Sequence, residues 1–216
     1  QTCALPICLQ LEETHLARLG ILDIDTSAII SSDIKLNFSG NTIDNIIGEI
    51  KLDSTFFSYK NERYEMNSFV VQTSANDNFQ RTIDLRSDYM DGEIDGHFQL
   101  SAIAASSKSY LSKFLPNLFS KEVSSNEISD EQMNWDFRFK NFGKILPLFH
   151  KKLQISEDGR WIGEFDAQSN AINSMINLQK ANYLGVELKN LQMLIKSDNQ
   201  VLNTELLLGE MIFKEG

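Results

Sequence analysis

Between Asp33 and Leu100 the chain is built from short runs in which apolar and polar residues take turns. In the first run Ile34, Leu36 and Phe38 fall on one side, and Asp33, Lys35 and Asn37 on the other. The pattern resumes at Ile50, Leu52 and Phe56, again at Ile83 and Leu85, and again at Ile94, Phe98 and Leu100. A period of two marks a strand with one dry and one wet face, because successive side chains leave the backbone on opposite sides. Turn-forming clusters separate the runs: Ser39-Gly-Asn41, Lys60-Asn-Glu-Arg63, Ala75-Asn-Asp-Asn78 and Tyr89-Met-Asp-Gly92. A meander of antiparallel strands is the simplest topology for such a chain, and a compact α/β enzyme is disfavoured.

The rest of the chain keeps to this scheme with a few interruptions. Residues 13–31 read ambiguously, as a short helix ended by Gly20 followed by a strand at Ile21-Leu-Asp-Ile-Asp25. Thr42 suits the cap of a single helical turn ending at Gly48. From Ser101 to Ser120 the period changes, and Ile103, Tyr110, Leu111, Phe114 and Leu118 suit an amphipathic helix bent at Pro116. Lys121 to Gln132 is polar and reads as a linker. Strands return with Trp135, Phe137 and Phe139 on one face. A short apolar helix or turn then covers Phe142 to Phe149. A hairpin is expected around Glu157-Asp-Gly159, with three more strands after it. The expected organisation is a first β-unit over 9–120, a linker over 121–132 and a second β-unit over 133–216.

The two units echo each other. Ile50-Lys-Leu52 matches Ile176-Asn-Leu178, and Phe56-Phe57 corresponds to Asn182-Tyr183. Glu65-Met-Asn-Ser-Phe69 resembles Glu187-Leu-Lys-Asn-Leu191, and Asp84-Leu-Arg-Ser87 parallels Glu205-Leu-Leu-Leu208. Asn41-Thr-Ile-Asp44 sits beside Asn170-Ala-Ile-Asn173. A weak repeat of whole β-units points to an extended array rather than one closed globule.

Composition narrows the partners. With 30 acidic against 20 basic residues the net charge is −10, which opposes nucleic acid and a simple electrostatic grip on anionic headgroups. No apolar run approaches the roughly 20 residues of a spanning helix. Gln1 to Ile7 is what a common sequencing adapter encodes in one reading frame, so residues 1–8 are read as a read-through scar outside the fold. On that reading both cysteines, Cys3 and Cys8, say nothing about redox compartment, and the chain is a piece of a longer protein.

The one constellation that invites a catalytic reading is Asp91, Glu93, Asp95 and His97, which share one face of a strand. Alternating carboxylates serve some β-sandwich glycosidases, but Phe98 stands where a third acid belongs. A solvated strand face explains the cluster more simply, since Ile94, Phe98 and Leu100 fill the other side. Asp23 and Asp25, beside Thr26 and Ser27, read as a turn or cap. His15, His97 and His150 lack metal-ligand spacing, and no nucleophile elbow, phosphate loop or dinucleotide motif occurs. No enzymatic activity, metal or cofactor is expected.

The aromatic and aliphatic alternate positions can be ordinary core or the lining of a groove for acyl chains. The groove reading gains if the sheet is long, open and unpaired with a second sheet. Its candidate residues are Ile34, Leu36, Phe38, Ile50, Leu52, Phe56, Ile83, Leu85, Ile94, Phe98, Trp135, Phe137 and Phe139.

Several segments together carry a resemblance: Gly40–Gly48, Glu49–Phe57, Tyr64–Phe69, Arg81–Asp88 and Asp91–Phe98. They look like part of the Bacteroidota-type translocation and assembly module TamB, within the AsmA-like, bridge-type lipid transfer proteins. The likeness is best over about 15–118 and is a pattern of strands and turns without a catalytic motif. It implies an all-β fold with a few short helices, an extended antiparallel sheet curled like a taco around a greasy concave face. It further implies a periplasmic protein anchored in the inner membrane, carrying phospholipid acyl chains toward the outer membrane. Outer-membrane assembly machinery would be met through parts of the parent protein outside these residues. A secreted β-sandwich, either an adhesion module or a carbohydrate-active module using Glu93 and Asp95, is the alternative from a different class.

Overall fold

The computed structural model describes residues 6–15, 28–59, 62–76, 80–114, 130–149, 152–155, 158–197 and 201–213. The expected features at residues 16–27, at Pro116 and Leu118, at 121–129, at His150 and at Asp198-Asn199 lie outside these residues, as does the first part of the adapter segment.

Among the described residues twelve strands form a single antiparallel sheet. They are β1 (Ile7–His15), β2 (Ile29–Ser39), β3 (Ile47–Tyr59), β4 (Glu62–Ala75), β5 (Gln80–Ser87), β6 (Met90–His97), β7 (Gln132–Phe139), β8 (Leu153–Ile155), β9 (Gly159–Asp166), β10 (Ala171–Tyr183), β11 (Val186–Ser197) and β12 (Leu202–Phe213). The order is that of the chain, except that β7 pairs with β9 while β8 lies off the path against β10. A helix, α1 (Leu100–Phe114), follows β6; a 3-10 turn at Phe142–Lys144 and a short helix, α2 (Leu146–Phe149), follow β7. The sheet is open and curled, with the all-β antiparallel architecture expected from the alternation. No helix among the described residues is long and apolar enough to cross a membrane.

The repeat is visible in the pairing register. Ile50 faces Val71 as Ile176 faces Met193, and Leu52 faces Phe69 as Leu178 faces Leu191. Val71 then faces Leu85 as Met193 faces Leu206, and Leu36 faces Ile50 as Trp161 faces Ile176. Strands β3–β5 and β10–β12 are thus equivalent in position as well as in matched sequence, and β2 and β9 take equivalent places beside them. One matched segment departs from this: Asn41–Asp44 forms a turn, whereas Ile172 and Asn173 already pair within the sheet.

Four expectations change. The hairpin around Glu157-Asp-Gly159 does not form, because β8 and β9 run end to end along the same strand, with Ile155 facing Ala181 and Gly159 facing Leu178. Asp158 at φ 73 marks an irregularity within one interrupted strand. Residues 7 and 8, set aside as a scar, pair in β1 with Leu36 and Lys35. The helix after β6 starts at Leu100, and the turn after Thr42 is not a helix.

The buried core is small and sits at one end of the strands. Phe98, Tyr110, Met133 and Phe165 form it, with Ile83, Ile94, Leu100, Ile103, Trp135 and Ile172 packed around them. The Tyr110 ring meets Phe165 edge-on at 5.2 Å. Both ends of α1 are tied to distant strands. Ser101 donates its N–H (2.9 Å) and its hydroxyl (2.6 Å) to the Asp44 carboxylate, in the turn before β3. The Tyr110 hydroxyl meets Ser197 at the end of β11. Measured along the sheet, β3 to β11 is seven inter-strand steps, about 34 Å. The helical rise from Ser101 to Tyr110 is only about 14 Å. The helix and two side chains bridge that path because the sheet curls toward them.

Candidate functional site

Register decides which side chains share a face. In an antiparallel ladder, paired residues project to the same side, and alternate residues along a strand follow them. One line of such pairs crosses eleven strands: Ile7, Leu36, Ile50, Val71, Leu85, Gly92, Phe137, Trp161, Ile176, Met193 and Leu206. The next line runs from Leu9, Ile34, Leu52 and Phe69 through Met90 and Phe139 to Leu178, Leu191 and Leu208, broken only by Ser87 and Gly159. At about 4.8 Å per strand, each line is on the order of 48 Å long.

Among the described residues no second sheet packs against this apolar face. Of the thirteen groove candidates only Phe98, at 1% exposure, is buried; the others are part-exposed. Ile34, Leu36, Phe38, Ile50, Leu52, Ile83, Leu85, Ile94, Trp135, Phe137 and Phe139 occupy one face, and Phe98 continues it beneath α1. Phe56 is the exception. Ser54 at φ 49 puts the strand one residue out of phase, so Thr55 rather than Phe56 follows Leu52 on the apolar side. There the Thr55 hydroxyl sits 2.7 Å from that of Ser32, while Phe56 lies on the polar face under the Arg63 guanidinium, 4.4 Å from its ring centre. Phe57 takes the inward place and packs with Tyr59 and Tyr64.

Phe69 and Val71, and the continuation over β9–β12 through Trp161, Ile176, Leu178, Leu191 and Met193, share this face but lie outside the thirteen candidates. The repeat held part of the missing signal: Ile176 and Leu178 on β10 are the equivalents of Ile50 and Leu52 on β3, and Leu206 on β12 is the equivalent of Leu85 on β5.

At the strand ends beside α1, Arg81 is 1% exposed on the apolar side of the sheet. It donates to the Asp44 carbonyl (2.6 Å), the Ile46 carbonyl (3.0 Å) and the Thr73 hydroxyl (2.8 Å), and so pins the β2–β3 turn over the sheet. Burial lowers the Arg81 pKa, opposed by the nearby Asp44 charge. The hydrogen bonds from Ser101, side chain first and backbone second, hold the Asp44 carboxyl below the usual carboxylate range. At the opposite ends, Phe142 stacks on Phe139 at 5.1 Å.

The acidic strand lies on the polar face, and its members pair separately. Asp91 meets Lys140 at 2.7 Å, Asp95 accepts from Asn134 at 3.3 Å, and His97 lies 3.6 Å from Asp130. Glu93 is exposed, between Asp84 and Asp136 in register. Asp136 is engaged by Arg160 through two bonds of 2.8 and 2.5 Å, which lower its pKa. Among the described residues no three His, Cys, Asp or Glu side chains gather as metal ligands.

Compared with protein-family models, with curated proteins and with solved structures, the chain finds no match.

Proposed function

We propose that this chain is a segment of an AsmA/TamB-like periplasmic conduit that carries phospholipid acyl chains between the inner and outer membranes. The observation that carries the reading is the pair of apolar lines crossing eleven strands on a face that no second sheet among the described residues covers. An apolar face of that extent left in water is costly, on the order of 25 cal/mol for each Å² exposed, and chains of lipid would remove the cost. The repeat supports the reading too, because equivalent units extend the face without changing its chemistry. β12 adds to the open apolar surface, with Leu206, Leu207 and Phe213 exposed.

Transport in this reading is passive. Acyl chains lie across the strands on side chains such as Leu36, Ile50, Val71 and Ile176, and headgroups stay at the wet rim. This reading gives no residue a proton-transfer role. The sandwich alternative needs two sheets packed face to face; the twelve strands among the described residues all belong to one.

The test is native mass spectrometry of the chain expressed in a bacterial periplasm. Phospholipid should co-purify with the wild type and be lost from Leu36→Asp and Leu52→Asp variants of unchanged circular dichroism. A folded wild type free of lipid would overturn the reading.

A further inference from the structure

The apolar face is narrowed where it crosses β6, β7 and β9. On one side Tyr110 of α1 covers Phe165, and Ile94 and Trp135 pack against the same cluster. On the other side Phe142 covers Phe139. Between these covers runs one lane, floored by Phe137 and Trp161, whose rings stack at 5.5 Å and 26°, with Trp135 edge-on to Trp161 at 5.6 Å.

The floor of that lane depends on glycines facing the rings across the ladder. Gly92 pairs with Phe137 and Gly163 with Trp135. A methyl group on Gly92 would stand 2.0 Å from Phe137 Cδ1 and 2.3 Å from Cε1, so the ring leans across and occupies the space above the glycine. On Gly163 it would stand 2.3 Å from Trp135 Cζ2, with the Asn173 carbonyl oxygen also at 2.9 Å. Gly92 has no left-handed backbone to explain it, in contrast to Gly48 at φ 146 and Gly96 at φ 150. Its missing side chain serves space alone. Side chains on a sheet otherwise stand roughly perpendicular to it, and an upright Phe137 would rise into the lane.

Building on the conduit reading, we propose that Gly92, with Gly163, sets the depth of the lane: by receiving the neighbouring rings they keep its floor low enough for an acyl chain to pass between α1 and Phe142. The lane then acts as a gauge that passes chains singly, while the broader face over β2–β5 holds them without selection.

The experiment uses the full chain, wild type and Gly92→Ala, with two readouts. The first is acrylamide quenching of tryptophan fluorescence in delipidated protein; Trp135 and Trp161 are the two tryptophans of the chain, and Trp161 stacks on Phe137. The second is phospholipid bound per chain by native mass spectrometry. Gly92→Ala should raise the quenching constant as Phe137 lifts off Trp161, and lower bound phospholipid severalfold. Adding Phe137→Leu should restore the lipid, which separates a blocked lane from a damaged fold. Unchanged quenching, or raised quenching with undiminished lipid, overturns the gauge. A wild type without phospholipid overturns the conduit reading instead, while quenching still reports whether Gly92 positions the ring.

Discussion

Replacing Arg81 with Met keeps the aliphatic stem and removes the guanidinium that pins the β2–β3 turn. Three hydrogen bonds disappear, to the carbonyls of Asp44 and Ile46 and to the Thr73 hydroxyl. Bonds to a charged donor are worth about 1.5–3 kcal/mol each, so the gross loss is about 4.5–9 kcal/mol. Against it stands the cost of holding a charge at 1% exposure, which is several kcal/mol in a protein interior. The two carbonyls belong to a surface turn and turn to water once freed, whereas the Thr73 hydroxyl stays on the sheet. The net expectation is a loss of about 2–4 kcal/mol. The loss is local, because the turn carries Asp44, and Asp44 holds the start of α1 through Ser101. Hydrogen exchange followed by mass spectrometry resolves this: protection should fall at 41–46 and at 101–103 together, with β9–β12 unchanged. Loss of protection at the turn alone, or none at either place, would refute the linkage of turn to helix.

Two further outcomes follow from burial and charge. Phe98→Ala should cost about 3–5 kcal/mol in urea unfolding, as for a fully buried aromatic, while Leu36→Ala on the open face should cost clearly less than the roughly 2–5 kcal/mol of a buried leucine. The Asp44 pKa is depressed in the folded chain, so the carboxylate stabilises the folded state above the ordinary value of 3.8, and this is lost as pH falls through its lower folded value. Protection at the first turn of α1 should therefore drop between about pH 4 and the acid limit of folding, and Asp44→Asn should flatten that dependence.

The strands from β2 to β7 were legible because each keeps one apolar side, and the turn clusters between them carry their own chemistry. Phe56 was assigned to the wrong face because parity assumes an unbroken strand, and nothing in Asp53-Ser-Thr55 announces the left-handed backbone at Ser54. Glu157-Asp-Gly159 suits a hairpin loop and an irregularity within one strand equally well; the choice falls to β10, long enough to pair with both β8 and β9. In β1 the alternation of Ile7, Leu9 and Leu11 spans the boundary drawn at residue 8, so setting residues 1–8 aside hid the strand. The latch of Arg81, Asp44 and Ser101 joins three segments far apart in sequence and leaves no local pattern. The glycine-paved lane was hidden for a related reason: Gly92 reads as turn chemistry after Asp91 until the register sets it opposite Phe137.

The most direct test of the central claim, that lipid rides on one face of the open sheet, is photocrosslinking from paired positions. A benzophenone amino acid placed at Leu36 or Ile176 stands on the apolar face, and one placed at Lys35 or Asn177 stands on the polar face of the same strands. With the chain expressed in a bacterial periplasm, crosslinked phospholipid should appear from Leu36 and Ile176 and be absent from Lys35 and Asn177. Equal crosslinking from both faces, or none from either, would contradict the account.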